Sequence, residues 1–193
     1  MQLLRKEDIY PKEVYERLRP EWRRRIMVEK QKRRVSVGDH CTVHFENRDT
    51  MHYQVQEMLR AENSWDKPGA IEAELEAYNP IIPRRGELSA TLMFEYEDRA
   101  ERDAALRKLV GIEDHVWLQI DDTPPIRAQF DRLQLDPQRI SSVQYIKWHL
   151  SDEQRRLLKQ EGTVVRIRID HPAYSAQAVL SEETRRAIMN DPD

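Results

Sequence analysis

The sequence predicts an α+β protein with a mixed, mostly antiparallel sheet, helices on one face of that sheet and an N-terminal helical arm. Two stretches, residues 88–120 and 143–169, each show the pattern strand, helix, strand, which is typical of a sheet covered by helices. The chain of 193 residues suits a single α+β domain over 1–193, with the arm over 1–34 and the core over 35–193.

The composition indicates a folded protein of the cytoplasm. Charged residues make up 35% of the chain, but the 39% of apolar residues occur in periodic runs, unlike those of a disordered chain. The net charge of -3 and the pI near 6.1 argue against a general binder of nucleic acid or anionic membranes. Apolar runs are too short to span a bilayer, and the N-terminus lacks the apolar centre of a secretory signal. The single cysteine, Cys41, excludes an intrachain disulfide.

The first helical pattern covers residues 8–31, and Pro20 is expected to divide it into two pieces. An apolar residue recurs every four positions along this segment: Val14, Leu18, Trp22 and Ile26. This pattern predicts an apolar stripe under a charged coat. The stripe could pack against the rest of the chain or against a second subunit, so a homo-oligomer remains an alternative.

The next elements form a strand followed by two helices. A turn from Val35 leads into a strand over 41–46, where apolar and polar side chains alternate. Asp49 or Thr50 is the expected N-cap of a helix that runs to about Glu62. A short acidic helix follows over residues 71–78 and ends at the asparagine and prolines behind it.

The remaining elements belong to the two blocks and the segments around them. The first block is predicted as a strand over 88–96, a helix over 99–109 and a strand over 116–120. The second block is predicted as a strand over 143–150, a helix over 151–160 and a strand over 164–169. A further strand over 126–130 and a last helix over 181–189 complete the expected fold.

Polar and ionisable side chains are concentrated at the junction between the strand 41–46 and its helix. His44 and Glu46 point to the same face of an extended strand, and Glu57 lies on the polar side of the helix. Imidazole and carboxylate ligands suit iron, zinc or manganese, so one hypothesis is a divalent metal site formed by these three side chains. No HExxH or CxxC spacing supports it, and a solvated strand face beside a helix cap is the simpler interpretation.

The same junction also predicts a pocket for a small anionic or zwitterionic ligand. The residues expected to contact such a ligand are Arg48, Gln54, Arg60, Glu74, Tyr78 and Asn79. In an enzyme, Glu57 and Glu62 would be the candidate catalytic bases. The competing interpretation is an internal network of ion pairs that holds the helices against the sheet.

A basic segment over residues 17–34 raises a third possibility, contact with RNA. It holds nine Lys or Arg and one Trp, but Glu21 and Glu29 interrupt it at ion-pair spacing. The residues left for such contact are Arg23, Arg24, Lys32 and Arg33. A solvated amphipathic helix explains the segment better, and nucleic acid is not the expected partner.

Several segments together resemble a bacterial family described as a domain of unknown function, DUF3501. The matching segments are DIYPKEVYERLRPEWR, RRVSVGDH, FENRDTMHYQVQEMLRAE, ELEAYNPIIP, ELSATLMFEY and LVGIEDHVW, with a weaker match at SEETRRAIM. The resemblance implies no particular reaction. It does imply a link to redox or iron metabolism, because members of this family are often encoded near rubrerythrin-like and iron–sulfur proteins. This sequence has no rubrerythrin-type iron motif, so any iron would need an unfamiliar site.

The leading functional prediction is therefore a cytoplasmic accessory or ligand-binding protein, linked to redox or iron metabolism and associated with a rubrerythrin-like or iron–sulfur partner. The alternative is a metal-dependent enzyme with His44, Glu46 and Glu57 as ligands. RNA contact ranks third.

Overall fold

Two antiparallel sheets lie at the centre of the computed structural model, which describes residues 1–132 and 135–193. The helices are α1 Lys12–Lys32, α2 Arg48–Ala61, α3 Ala70–Tyr78, α4 Arg99–Lys108, α5 Asp152–Lys159 and α6 Glu182–Ile188. Short 3-10 turns occur at Lys6–Asp8, Asn79–Ile81 and Ile112–Asp114. The strands are β1 Arg34–Ser36, β2 Cys41–Glu46, β3 Glu87–Phe94, β4 Val116–Ile120, β5 Ile126–Arg127, β6 Gln129–Phe130, β7 Val143–His149, β8 Val165–His171 and β9 Tyr174–Val179.

The α+β class is confirmed, but the strands form two sheets instead of one. The first sheet has the order β1-β2-β3-β7-β6 and the second has the order β5-β4-β8-β9. Each strand–helix–strand block gives its first strand to the first sheet and its second strand to the second sheet. The alternation of apolar residues shows which side of a strand is buried, but it does not say which strand lies next to it.

The main core lies between the two sheets. The buried residues of the first sheet include Val43, Phe45, Leu88, Leu92, Ile146 and Trp148, and those of the second include Val116, Leu118, Ile120, Val165, Ile167 and Ile169. Full burial of each such side chain contributes about 1.5–3 kcal/mol relative to exposure, so this layer dominates the stability of the sheets. The opposite face of the first sheet is therefore left for the helices.

A second, smaller core joins the N-terminal segment to α2 and α3 and reaches the first sheet at Tyr145. Its buried members are Leu4, Ile9, Met51, Val55, Leu59, Leu75, Ile81 and Ile82. This packing places α2 and α3 beside the outer face of the first sheet, which is the face that carries the polar residues of β2.

The helix α1 is continuous through Pro20, so the predicted division into two pieces is wrong. Pro20 is exposed and removes one backbone hydrogen bond, whereas contacts with α2 hold the helix before Pro20 through ion pairs and after it through the ring of Trp22. The predicted stripe is also wrong in part: Ile26 is buried, but Leu18 is 38% exposed and Tyr15 is buried instead. A spacing of four residues advances by about 40° per step around a helix of 3.6 residues per turn, so the stripe winds away from the core.

Three strand assignments differ from the sequence-based expectation. The segment read as a turn from Val35 contains β1, which pairs with β2 around Gly38. The strand expected over 126–130 is two strands, β5 on the second sheet and β6 on the first, so the chain crosses between sheets here. The edge strand β9 was not expected, because its alanines and polar residues give only weak alternation. Pairing with β8 stabilises this strand, and that pairing is not visible within the segment itself.

No helix in the described parts of the chain is long and apolar enough to cross a membrane.

Candidate ligand-binding pocket

The junction between β2 and α2 is held by a reciprocal cap. Asn47 Oδ1 accepts the backbone N–H of Thr50 at 2.9 Å, and Thr50 Oγ1 accepts the backbone N–H of Asn47 at 3.0 Å. Asn47 is therefore the N-cap, and the prediction of Asp49 or Thr50 is wrong by two or three positions. This cap fixes the angle at which α2 leaves the sheet and keeps Glu46, the last residue of β2, beside the start of the helix.

The register of the first sheet aligns polar side chains into rows on its outer face. His44 lies opposite Thr91 of β3, which in turn lies opposite Tyr145 of β7. Glu46 lies opposite Ser89 in the next row. Residues two apart on a strand share a face, so these side chains all point toward α2 and α3.

A cavity of about 290 Å³ lies between this face and the helices. Its lining residues are Lys30, His44, Phe45, Glu46, Met51, Gln54, Tyr78, Thr91, Met93, Val143 and Tyr145. Four of the residues singled out in the sequence thus lie around one cavity: His44, Glu46, Gln54 and Tyr78. The strand-to-helix junction is the part of the prediction that the structure brings together.

Glu46 is a buried carboxylate whose hydrogen bonds come from neutral hydroxyls. Only 6% of the residue is exposed. Thr50 donates its hydroxyl to Oε2 at 2.6 Å, and Thr91 donates its hydroxyl to Oε1 at 2.7 Å. Within residues 1–132 and 135–193, no Lys, Arg or His forms an ion pair with Glu46. The N-terminus of α2 offsets about half a charge at most, so the negative charge is only partly neutralised.

His44 is half-buried beside this carboxylate. Burial lowers the pKa of the imidazole, and the nearby charge of Glu46 opposes that shift only in part. His44 is therefore neutral at pH 7, with one ring nitrogen able to donate and the other able to accept a hydrogen bond.

Glu57, predicted as a metal ligand and as a base, lies outside the cavity in an ion pair with α1. Arg19 donates Nε to Glu57 Oε1 at 2.7 Å and a second nitrogen to Oε2 at 2.9 Å. The buried Tyr15 hydroxyl donates to the same carboxylate at 2.5 Å. The hydrogen bond from Arg19 is the main cause that lowers the pKa of Glu57 to about 2. These contacts match the competing interpretation, in which Glu57 joins helices.

The three predicted metal ligands do not surround one point. His44 and Glu46 line the cavity, whereas Glu57 contacts Arg19 and Tyr15. Across the described residues, no group of three or more His, Cys, Asp or Glu side chains is placed to hold a metal ion. Glu57 is thus separated from the cavity that His44 and Glu46 line.

The two arginines predicted as ligand donors form ion pairs with residues of the N-terminal arm. Arg48 lies 2.8 Å from Asp8, and Arg60 lies 2.8 Å from Glu16. Neither lines the cavity, so its cationic side chain is Lys30.

The other predicted residues outside the cavity have contacts of their own. Asn79 accepts the backbone N–H of Leu4 at 2.8 Å and donates to the carbonyl of Leu4 at 2.9 Å, which fastens the N-terminal segment to α3. Glu62 is the exposed C-cap of α2. Burial, reinforced by the negative charge of Glu62, raises the pKa of Glu74.

Part of the basic segment 17–34 is already engaged in contacts. Arg19 pairs with Glu57, and Arg33 is buried against Asp191 at 2.6 Å and Glu29 at 2.6 Å. Arg23 and Arg24 remain exposed. RNA contact through this segment stays a prediction.

Sequence reasoning missed Lys30, Thr91, Met93, Val143 and Tyr145, which also line the cavity. The alternation of β3 and β7 does place Thr91 and Tyr145 on the polar side of their strands. Only the register shows that this side is shared with His44, and only the packing of α1 brings Lys30 to the same place.

The fold and the site together define an α+β protein with two antiparallel sheets and a partly enclosed polar pocket on the outer face of one of them. The profile of the family described as "Protein of unknown function (DUF3501)" matches residues 3–192, and the chain belongs to this family. The resemblance found in the sequence is thereby confirmed.

One solved structure is similar over its whole length. It is a crystal structure described as a novel protein of unknown function from Burkholderia pseudomallei K96243, with 36% sequence identity, a TM-score of 0.91 and coverage of 100% of both chains. No protein with a curated description matches the sequence. Neither description that does match names a reaction, a metal or a partner.

Proposed function

We propose that this protein binds a small organic molecule in the pocket between β2, β3, β7 and the helices α2 and α3. The observation that carries the proposal is the convergence of a buried carboxylate, a neutral imidazole, an amide and tyrosine side chains around one cavity. Ligand sites combine a mostly apolar wall with a few convergent polar groups, and their volumes begin near 300 Å³. A cavity of 290 Å³ therefore suits a small metabolite.

The ligand-binding role is the part of the leading prediction that the pocket supports. The link to redox or iron metabolism rests on the family resemblance. It remains part of the proposal, as the area of metabolism in which the ligand is used. Stable co-purification with a rubrerythrin-like or iron–sulfur protein tests that setting separately from the pocket.

The binding role is tested by filling the cavity. Gln54→Trp places a large ring into the space that Gln54 lines, whereas Met58→Trp places the same ring one turn further along the same side of α2, away from the cavity lining. A library of polar metabolites is screened by ligand-observed NMR against the wild type and both variants. We expect compounds that bind the wild type and the Met58 variant but not the Gln54 variant.

Two results would overturn the proposal. One is the absence of any compound whose binding depends on Gln54. The other is near-stoichiometric iron, zinc or manganese in tag-free protein that disappears in the Glu46→Gln/Glu57→Gln double variant, because that outcome supports the metal-dependent enzyme.

A further inference from the structure

We infer that the ligand of this pocket is a small zwitterion with an apolar body, of the class of apolar amino acids, whose ammonium group binds Glu46 and whose carboxylate binds Lys30. This inference rests on the proposed function and specifies its ligand class.

The anchor for the ammonium group is the buried carboxylate of Glu46. Each of its two oxygens accepts one threonine hydroxyl, which leaves a further lone pair on each oxygen. A buried charge is costly unless an opposite charge accompanies it, and the described residues provide no ion-pair partner for Glu46. An ammonium group provides three donors and a full positive charge, so it satisfies both needs.

The anchor for the carboxylate is Lys30, which lies near the end of α1 and lines the same cavity. Its Nζ lies 5.8 Å from the centre of the Tyr53 ring, and it has no ion-pair partner in the described parts of the chain. Lys30 and Glu46 are not paired with each other within 4 Å although both line the cavity. Two opposite charges held apart in one cavity are complementary to a molecule that carries both charges.

The rest of the lining selects the body of the ligand. Met51, Met93 and Val143 provide an apolar wall, and the thioether side chains adapt to different shapes. His44 and Gln54 add neutral polar groups that orient a ligand without changing the charge balance. The small volume excludes long or branched polar ligands and fits an amino acid with an apolar side chain.

The experiment uses matched sets of ligands with purified full-length protein. Calorimetry measures the binding of four amino acids: L-valine, L-leucine, L-methionine and L-phenylalanine. For each one, the amine that lacks the carboxylate and the acid that lacks the amino group are titrated as well. For leucine these are 3-methylbutylamine and 4-methylpentanoate. We expect at least one amino acid to bind more tightly than both of its analogues.

Variants then assign each charge to its residue. Glu46→Gln keeps the shape of the side chain and a hydrogen-bond acceptor. It should weaken binding of the amino acid and of the amine about tenfold or more, while the affinity for the acid stays unchanged. Lys30→Met should weaken binding of the amino acid and of the acid, while the affinity for the amine stays unchanged. Lys32→Met and Glu13→Gln, which change charges outside the lining, serve as matched controls.

The outcomes separate this inference from the proposed function. Suppose that the pocket binds a compound and Gln54→Trp abolishes this binding, but no amino acid binds more tightly than the corresponding amine and acid. The ligand class is then wrong and the binding role stands. If no compound binds in a way that depends on Gln54, both the ligand class and the binding role are wrong. Equal effects of Glu46→Gln and Glu13→Gln on the affinity for an amino acid would also overturn the ligand class.

Discussion

Substitution of Glu57 by Gln distinguishes a structural ion pair from a functional carboxylate. In the structure, Glu57 receives two hydrogen bonds from Arg19 and one from the buried Tyr15, and both ion-pair side chains are 23% exposed. Gln keeps the size of the side chain but removes the charge that these donors meet. We therefore expect Glu57→Gln to lower the free energy of unfolding while ligand binding in the pocket is retained.

The size of this effect follows from the pKa of Glu57, which falls from 4.5 to about 2 on folding. At about 1.4 kcal/mol per pKa unit the shift corresponds to about 3 kcal/mol as an upper limit. Because the side chains retain some contact with water, which weakens the ion pair, we expect a loss of about 1–2 kcal/mol. For a chain of this length that corresponds to a decrease in Tm of about 2–8 °C.

The dependence on pH gives the reasoning a second test. A carboxyl group whose pKa is lowered by folding stabilises the folded state above its unfolded pKa, and this contribution disappears as the pH falls toward its folded pKa. The difference between wild type and Glu57→Gln should thus be complete above about pH 5 and should shrink toward pH 2. Urea unfolding followed by circular dichroism at pH 7 and pH 3 measures it, with the exposed Glu62→Gln as the control.

Two results would refute this account of Glu57. A variant as stable as the wild type at pH 7, or a difference in stability that is the same at both pH values, would show that the ion pair with Arg19 contributes little. If ligand binding or metal content were lost with stability unchanged, Glu57 would be a functional group after all.

Three further substitutions test the fold by urea unfolding. Pro20→Ala restores a backbone hydrogen bond inside an exposed part of α1 and should raise the free energy of unfolding by about 1–3 kcal/mol; a loss would show that the helix requires proline there. Gly38→Ala should lower it by about 1–3 kcal/mol, because Gly38 has a φ of +75° and the added Cβ would lie 2.6 Å from the Tyr174 hydroxyl; unchanged stability would contradict the close approach. Arg33→Met should lower it by about 3–5 kcal/mol, since Asp191 would be left buried without its cation, and a loss below about 1 kcal/mol would contradict the burial of this pair.

Local sequence patterns determined where most of the helices and the longer strands form and where the polar junction lies, although they missed the edge strands β1 and β9. The alternation of β2 put His44 and Glu46 on one side of the strand, and the helical period put Gln54 on the polar side of α2. These periodicities belong to the backbone itself, so a single sequence is enough to read them. The short α3 that ends in Tyr78 followed from the same reasoning, because prolines end the helix behind it.

The tertiary structure alone decided which of these polar residues share a site. Pairing of β2 with β3 and of β3 with β7 brought Thr91 and Tyr145 beside His44, and packing of α1 added Lys30. The same packing of α1 places Glu57 in an ion pair with Arg19, outside the cavity. Gln54 lines the cavity, although it lies only one turn away from Glu57 on the same helix. Strand register and helix packing depend on contacts between residues far apart in the chain, and a pattern within one segment carries no information about them.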